Sequence, residues 1–188
     1  MIAHGPAVVL ANTFVVLGLV LLAHGGIVPA ATAAVPTECQ TFSWDVTREF
    51  ALFEANATTI ELGRDPETAP VIQVDAAYTS TLHPQAEVTL VAPRPAPAPD
   101  AVAYAGIAAV RIAKAGRYRV SGSGAYRIDV VHAGVVVPAL AFQGSPACPL
   151  IRKSVAFDLP AGAQVWVQIA ESGSPRTRIA ITHVVSTP

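Results

Sequence analysis

Along most of this chain hydrophobic and polar residues alternate in short runs broken by Gly, Pro and Asp, a period of two that predicts β-strands. Gly116 to Ser121 sets Tyr118 and Val120 on one face against Arg117, Arg119 and Ser121, and Ser121-Gly122-Ser123-Gly124 supplies the turn. The chain returns over Ala125 to Val131, with Ile128 and Val130 opposed to Arg127 and Asp129. Ala133-Gly134 marks the next turn, and Val135 to Val137 reads as a short strand. Three further inward faces are carried by Val155, Phe157 and Leu159, by Val165, Val167 and Ile169, and by Ile179 and Ile181; Trp166, Gln168, Arg178, Ala180 and Thr182 point the other way. Glu87 to Ala92 alternates in the same manner, and Gln143 to Pro149 reads as a loop. Together these runs predict a mainly β protein, an antiparallel, jelly-roll-like β-sandwich with one wet face per sheet.

Three segments depart from that pattern. Val46, Phe50 and Phe53 recur at helical spacing, which predicts one short N-terminal helix from Trp44 to about Ala55, capped by Ser43, with Asp45, Arg48 and Glu49 on a solvated side. Pro93 to Pro99 forbids a strand ladder, so a stiff Pro-rich loop is expected at 93–100. Residues 1–34 carry no Lys or Arg; an apolar core from Phe14 to Ala23 is followed by Gly25, Gly26 and Pro29 and then by small residues at Thr32 and Ala34. That order predicts a signal peptide cleaved before Val35, and an uncleaved N-terminal anchor is the alternative because Ala7 to Ala23 approaches a membrane span. Residues 35–188 then form a single domain.

Charge narrows the partners. Twelve Lys and Arg nearly balance thirteen Asp and Glu, which argues against a nucleic-acid partner and leaves membrane contact only to an uncleaved N-terminal segment. Cys39 and Cys148 are the two cysteines, and outside the cytoplasm such a pair is expected to form a disulfide.

The search for chemistry returns few motifs. Ser121 to Ala125 fails the spacing of a nucleophile elbow, no motif asks for a cofactor, and none is expected. His83, His132 and His183 are separated in sequence; His132 and His183, near the ends of late strands, are the candidate ligands for a small metal-dependent, dioxygenase-like enzyme. Asp129 and Asp158 read as exposed solubilising charges. Trp166, joined by Tyr126, Arg127 and Gln168, forms a candidate carbohydrate platform, in which a ring stacks on sugar C–H faces while polar groups read hydroxyls. Packing of Trp166 beneath the helix or a long loop is the competing reading. Arg152-Lys153 is the densest basic spot, but adjacent strand residues point to opposite faces, which favours a salt-bridged loop end over an anion site.

Cys39, Trp44 to Glu49, Ala115 to Val120 and Cys148 to Ser154 together resemble a group of small exported proteobacterial proteins. The later half is similar to the β-sandwich modules appended to secreted hydrolases. The export segment, the β-sandwich pattern and the lack of a catalytic motif together predict a periplasmic or secreted, non-catalytic binding or structural module of the envelope, with a glycan or another envelope protein as partner.

Overall fold

The computed structural model of the protein describes Met1, residues 35–94 and residues 102–185. Apart from Met1, the expected signal segment lies outside the described residues, as does most of the Pro-rich stretch at 93–100. Two compact units divide the chain, Met1–Ala31 and Thr32–Pro188, and every element named below belongs to the second. Among the described residues no helix is long and apolar enough to cross a membrane.

Two sheets form a mainly β sandwich with one α-helix. The first contains β1 (Thr58–Glu61), β3 (Ala76–Thr81), β12 (Arg176–His183), β6 (Gly116–Gly122), β10 (Lys153–Leu159) and β9 (Ala141–Gly144), in the order β1-β3-β12-β6-β10-β9. The second runs β2 (Val71–Ile72), β5 (Tyr104–Arg111), β11 (Gln164–Ser172), β7 (Arg127–His132) and β8 (Val135–Val136), with β4 (His83–Pro84) also paired to β5. The alternation read in the sequence decides what lies between them. Tyr118, Val120, Val155, Phe157, Val165, Val167, Ile169, Ile179 and Ile181 are all buried in one core. At about 1.5–3 kcal/mol for each large apolar side chain removed from water, that layer supplies the main drive for folding.

The sheets are mixed where antiparallel ones were expected. β1 pairs in parallel with β3, and β2 with β5, because the chain leaves β1, crosses to the other sheet as β2 and comes back as β3. Residues 88–94 form no strand. Pro84 and a short 3-10 turn at Gln85–Glu87 redirect the chain, and the segment then runs as an irregular strap against the outer face of the second sheet, where Gln168 bonds both backbone groups of Ala92 at 3.0 Å.

Helix α1 (Thr47–Glu54) is shorter than expected and starts after Val46 with no side-chain cap; the Asp45 carboxylate just ahead of it accepts from the Thr47 amide at 2.9 Å, and Ser43, the expected cap, bonds Gln143 instead. Its apolar side, with Phe50 and Phe53, packs on the outer face of the first sheet over the cross-strand pair Ala77 and Ala180. Those two methyl side chains let the helix approach closely. Glu49, expected on the solvated side, is buried: it accepts from the Thr182 hydroxyl at 2.7 Å and from Arg119 at 3.2 Å. Short Thr182 and long Arg119 reach it because they face α1 across the sheet.

The expected bridge is present. Cys39, in a 3-10 turn ahead of α1, is bonded to Cys148 in the β9–β10 loop, which ties the N-terminal arm to the far edge of the first sheet. Ser145 adds a hydrogen bond to the Glu38 carbonyl at 2.9 Å.

Candidate functional site

Three connections meet at one end of the sandwich: the β6–β7 turn, the β9–β10 loop and the β11–β12 turn. They enclose two adjoining clefts of about 480 and 430 Å³ that share Gly124 to Tyr126 and Arg152. The first is lined by Arg127, Arg152, Lys153 and Glu171, the second by Arg152, Arg176 and the Ser172–Ser174 turn.

Local backbone rules explain how these side chains arrive. Lys153 opens β10, so Arg152 belongs to the preceding loop, where its amide donates to Gly122 and its carbonyl accepts from Ser145. The rule that neighbours on a strand face opposite ways therefore does not separate them, and both line the same cleft. This corrects the expectation of a salt-bridged loop end: among the described residues, Arg152, Lys153 and Arg176 have no carboxylate within ion-pair distance.

Glu171 is placed by a bulge. Alternation from Val165, Val167 and Ile169 would turn it into the core, but the β11–β5 register shifts between Ile169 and Ser172 and Glu171 adopts φ 59°, a left-handed conformation unusual for Glu. Its amide donates to Gln85 at 2.7 Å, and its carboxylate turns outward to meet Arg127 Nε at 3.0 Å. Non-glycine residues held at positive φ gather at functional sites, because the surrounding structure must hold them there.

Tyr126 forms the floor. Its ring lies over Gly122 and Gly124, where a Cβ would come within 1.9 and 2.5 Å of it. The glycines of the Ser-Gly-Ser-Gly run thus serve this close approach as well as the turn. Tyr126 Oη donates to the Arg178 carbonyl at 3.1 Å and accepts from Thr177 at 2.8 Å. Burial pushes the phenol up to about 12. Lys153 donates to the Tyr126 carbonyl at 2.7 Å. Burial first, and the facing Arg127 guanidinium second, hold the Lys153 ammonium below its ordinary range.

The carbohydrate platform expected around Trp166 is distributed differently. Trp166, Gln168 and Arg127 do share the outer face of the second sheet, as the β7–β11 register requires. Gln168 is wholly buried beneath the strap, however, and Tyr126 turns into the core. Trp166 is half-buried, and its indole Nε1 is enclosed with no hydrogen-bond partner among the described residues. Asp129, expected as an exposed charge, is buried on this face, where Arg94 grips it through Nε at 2.7 Å and Gln168 donates to it at 3.2 Å. Asp158 is exposed, 3.6 Å from Arg117.

His132 and His183 stand on different sheets with separate neighbours. His132 Nδ1 lies 3.3 Å from the Gln164 carbonyl, and His183 packs on the Tyr118 ring at 4.8 Å. His83 is buried with Nε2 2.7 Å from the Leu62 carbonyl. Among the described residues no three His, Cys, Asp or Glu side chains converge as a metal ion requires.

The sequence pattern pointed to Tyr126 and Arg127, and set Arg127 on its observed face but Tyr126 outside the core that holds it; it gave no sign of Glu171 or Arg176. The one available signal was Arg152-Lys153 directly after the Cys148-Pro149 loop, since a loop boundary between two cations lets them face one way. Compared with known proteins, the chain matched no family model and no curated protein.

Proposed function

We propose that this protein is a periplasmic or secreted binding module that acts without catalysis and holds its ligand in the cleft between the β6–β7, β9–β10 and β11–β12 connections. The observation that carries this reading is the cleft itself: it is built from loop ends on a rigid sandwich and contains a bulge that re-aims Glu171. The Cys39–Cys148 bridge supports an oxidising compartment, and the cleaved signal remains part of the same reading. A glycan of the envelope is the favoured partner. The orders β3-β12-β6-β10 and β5-β11-β7-β8 favour a jelly-roll-like topology, an architecture shared with lectin domains.

The test is a titration of the folded protein with solubilised envelope glycans, followed by backbone amide chemical shifts. Shifts clustered on Gly124, Gly144 and Gly173 are expected. Shifts clustered instead around Trp166 would move the site to the outer face of the second sheet, and turnover of the glycan would overturn the non-catalytic reading.

A further inference from the structure

We propose that the cleft recognises an anionic glycan, with Arg152 and Lys153 receiving one acidic group and Arg176 a second one along the same chain. This rests on the cleft being the ligand site. The protein as a whole is close to neutral, at net −1, yet the two clefts gather Arg127, Arg152, Lys153 and Arg176 around the single carboxylate of Glu171. Glu171 is already occupied by Arg127. Arg127 donates to it through Nε, and its two terminal nitrogens make no hydrogen bond to any described residue. Lys153 uses one proton of three on the Tyr126 carbonyl.

Like charges crowded into a partly dry site repel, and an anion relieves the repulsion. Burial is the larger cause and the Arg127 charge adds to it, together holding the Lys153 ammonium low. The groups facing it are Arg127 and Asp129 from β7, Glu171 from β11, Tyr126 ahead of β7 and Arg152 from its own loop. A bound anion raises the Lys153 pKa, so binding takes up a proton and weakens as pH rises through the Lys153 titration.

A saccharide chain fits better than a nucleic acid. Bases need exposed aromatic faces to stack on, whereas Tyr126, which forms the floor, is buried, and the rims are the β6–β7 turn with Gly124, the end of β9 with Gly144 and the β11–β12 turn with Gly173. Gly173, where a Cβ would meet nothing within 4 Å, leaves room for a sugar ring close to the backbone, and the two clefts on either side of Arg152 suit acidic groups that repeat along a polymer. The acidic group is a carboxylate or a phosphate ester, since both accept from a guanidinium fork.

The experiment titrates the oxidised, full domain with an oligogalacturonate, its fully methyl-esterified form, a phosphodiester-linked oligosaccharide and a single-stranded oligonucleotide. Tight binding of either acidic glycan, with the ester at least about tenfold weaker, is expected; charge-assisted bonds of about 1.5–3 kcal/mol predict this ratio. The two acidic arms distinguish carboxylate from phosphate. Arg152→Gln and Lys153→Met should each weaken binding about tenfold or more and lower its salt dependence, and Lys153→Arg should restore most of it. Arg117→Gln, on a strand residue paired with Asp158 outside the cleft, should change nothing.

Equal affinity for the acidic chain and its ester, with shifts still at Gly124 and Gly173, would overturn the anionic ligand and leave the cleft as a neutral-glycan site. Shifts elsewhere, or none with any arm, would overturn both readings. Preference for the oligonucleotide would overturn the glycan.

Discussion

Tyr126 shows how a single residue couples core and site. Its phenol ring fills the space left by Gly122 and Gly124, its hydroxyl joins Thr177 and the Arg178 carbonyl, and its own carbonyl holds Lys153. The phenol titrates at 10.0 in a model compound and at about 12 in the fold. Between those values the native state keeps a proton that the unfolded chain has released. The stabilisation is thus whole below pH 10 and is lost as pH rises toward 12. Urea midpoints measured across that range should fall, and Tyr126→Phe should flatten the slope while lowering stability at neutral pH by about 1–2 kcal/mol, through the partners left at Thr177 and Arg178. A slope unchanged by the substitution would place the alkaline transition on another group. Glu171 makes the complementary point. Period-two reading assigns it to the core, and only the bulge reverses that.

At the level of elements, polar side chains decide how α1 and the strap are seated. Glu49 sits at the interface of α1 with the first sheet, where Arg119 also donates to the Asp45 carbonyl at 2.6 Å and lies against the Trp44 ring. Removing Glu49 leaves the nearly buried Arg119 guanidinium without its charge partner. Glu49→Ala is therefore expected to destabilise the fold by about 3–5 kcal/mol, and urea unfolding measures it. An effect below about 1 kcal/mol would mean that Glu49 behaves as a surface charge. The strap at 88–94 follows the same logic through Arg94, Asp129 and Gln168. Alternation in Glu87 to Ala92 resembled a strand because Ala92 does face inward, but it faces the outside of a sheet and has Gln168 for a partner.

Across the whole molecule, the Cys39–Cys148 bridge connects stability to the cleft. Its two ends are 109 residues apart, and the same loop that holds Cys148 supplies Arg152. Reduction should lower stability by about 4–5 kcal/mol on the chain-entropy account. It should also broaden the amide signals of Gly144 and Ser145 before the sheets unfold. Denaturation followed with and without reductant checks the first expectation, and unchanged midpoints would make the bridge incidental to the fold. Much of this architecture was legible in the chain: the inward faces of β6, β7, β10, β11 and β12, the turn at Ala133-Gly134 and the cysteine pair. Alternation, turn chemistry and thiol pairing are each expressed locally or by residue type, and local preference agrees with the fold in those segments. Parallel pairing of β1 with β3 and of β2 with β5, burial of Glu49 and Asp129, and the meeting of Arg127, Arg152, Lys153 and Arg176 at one end were decided only in three dimensions. A polar residue has no fixed side in sequence. Its environment depends on what a distant segment lays over it, and here that is a helix, a strap and three loop ends.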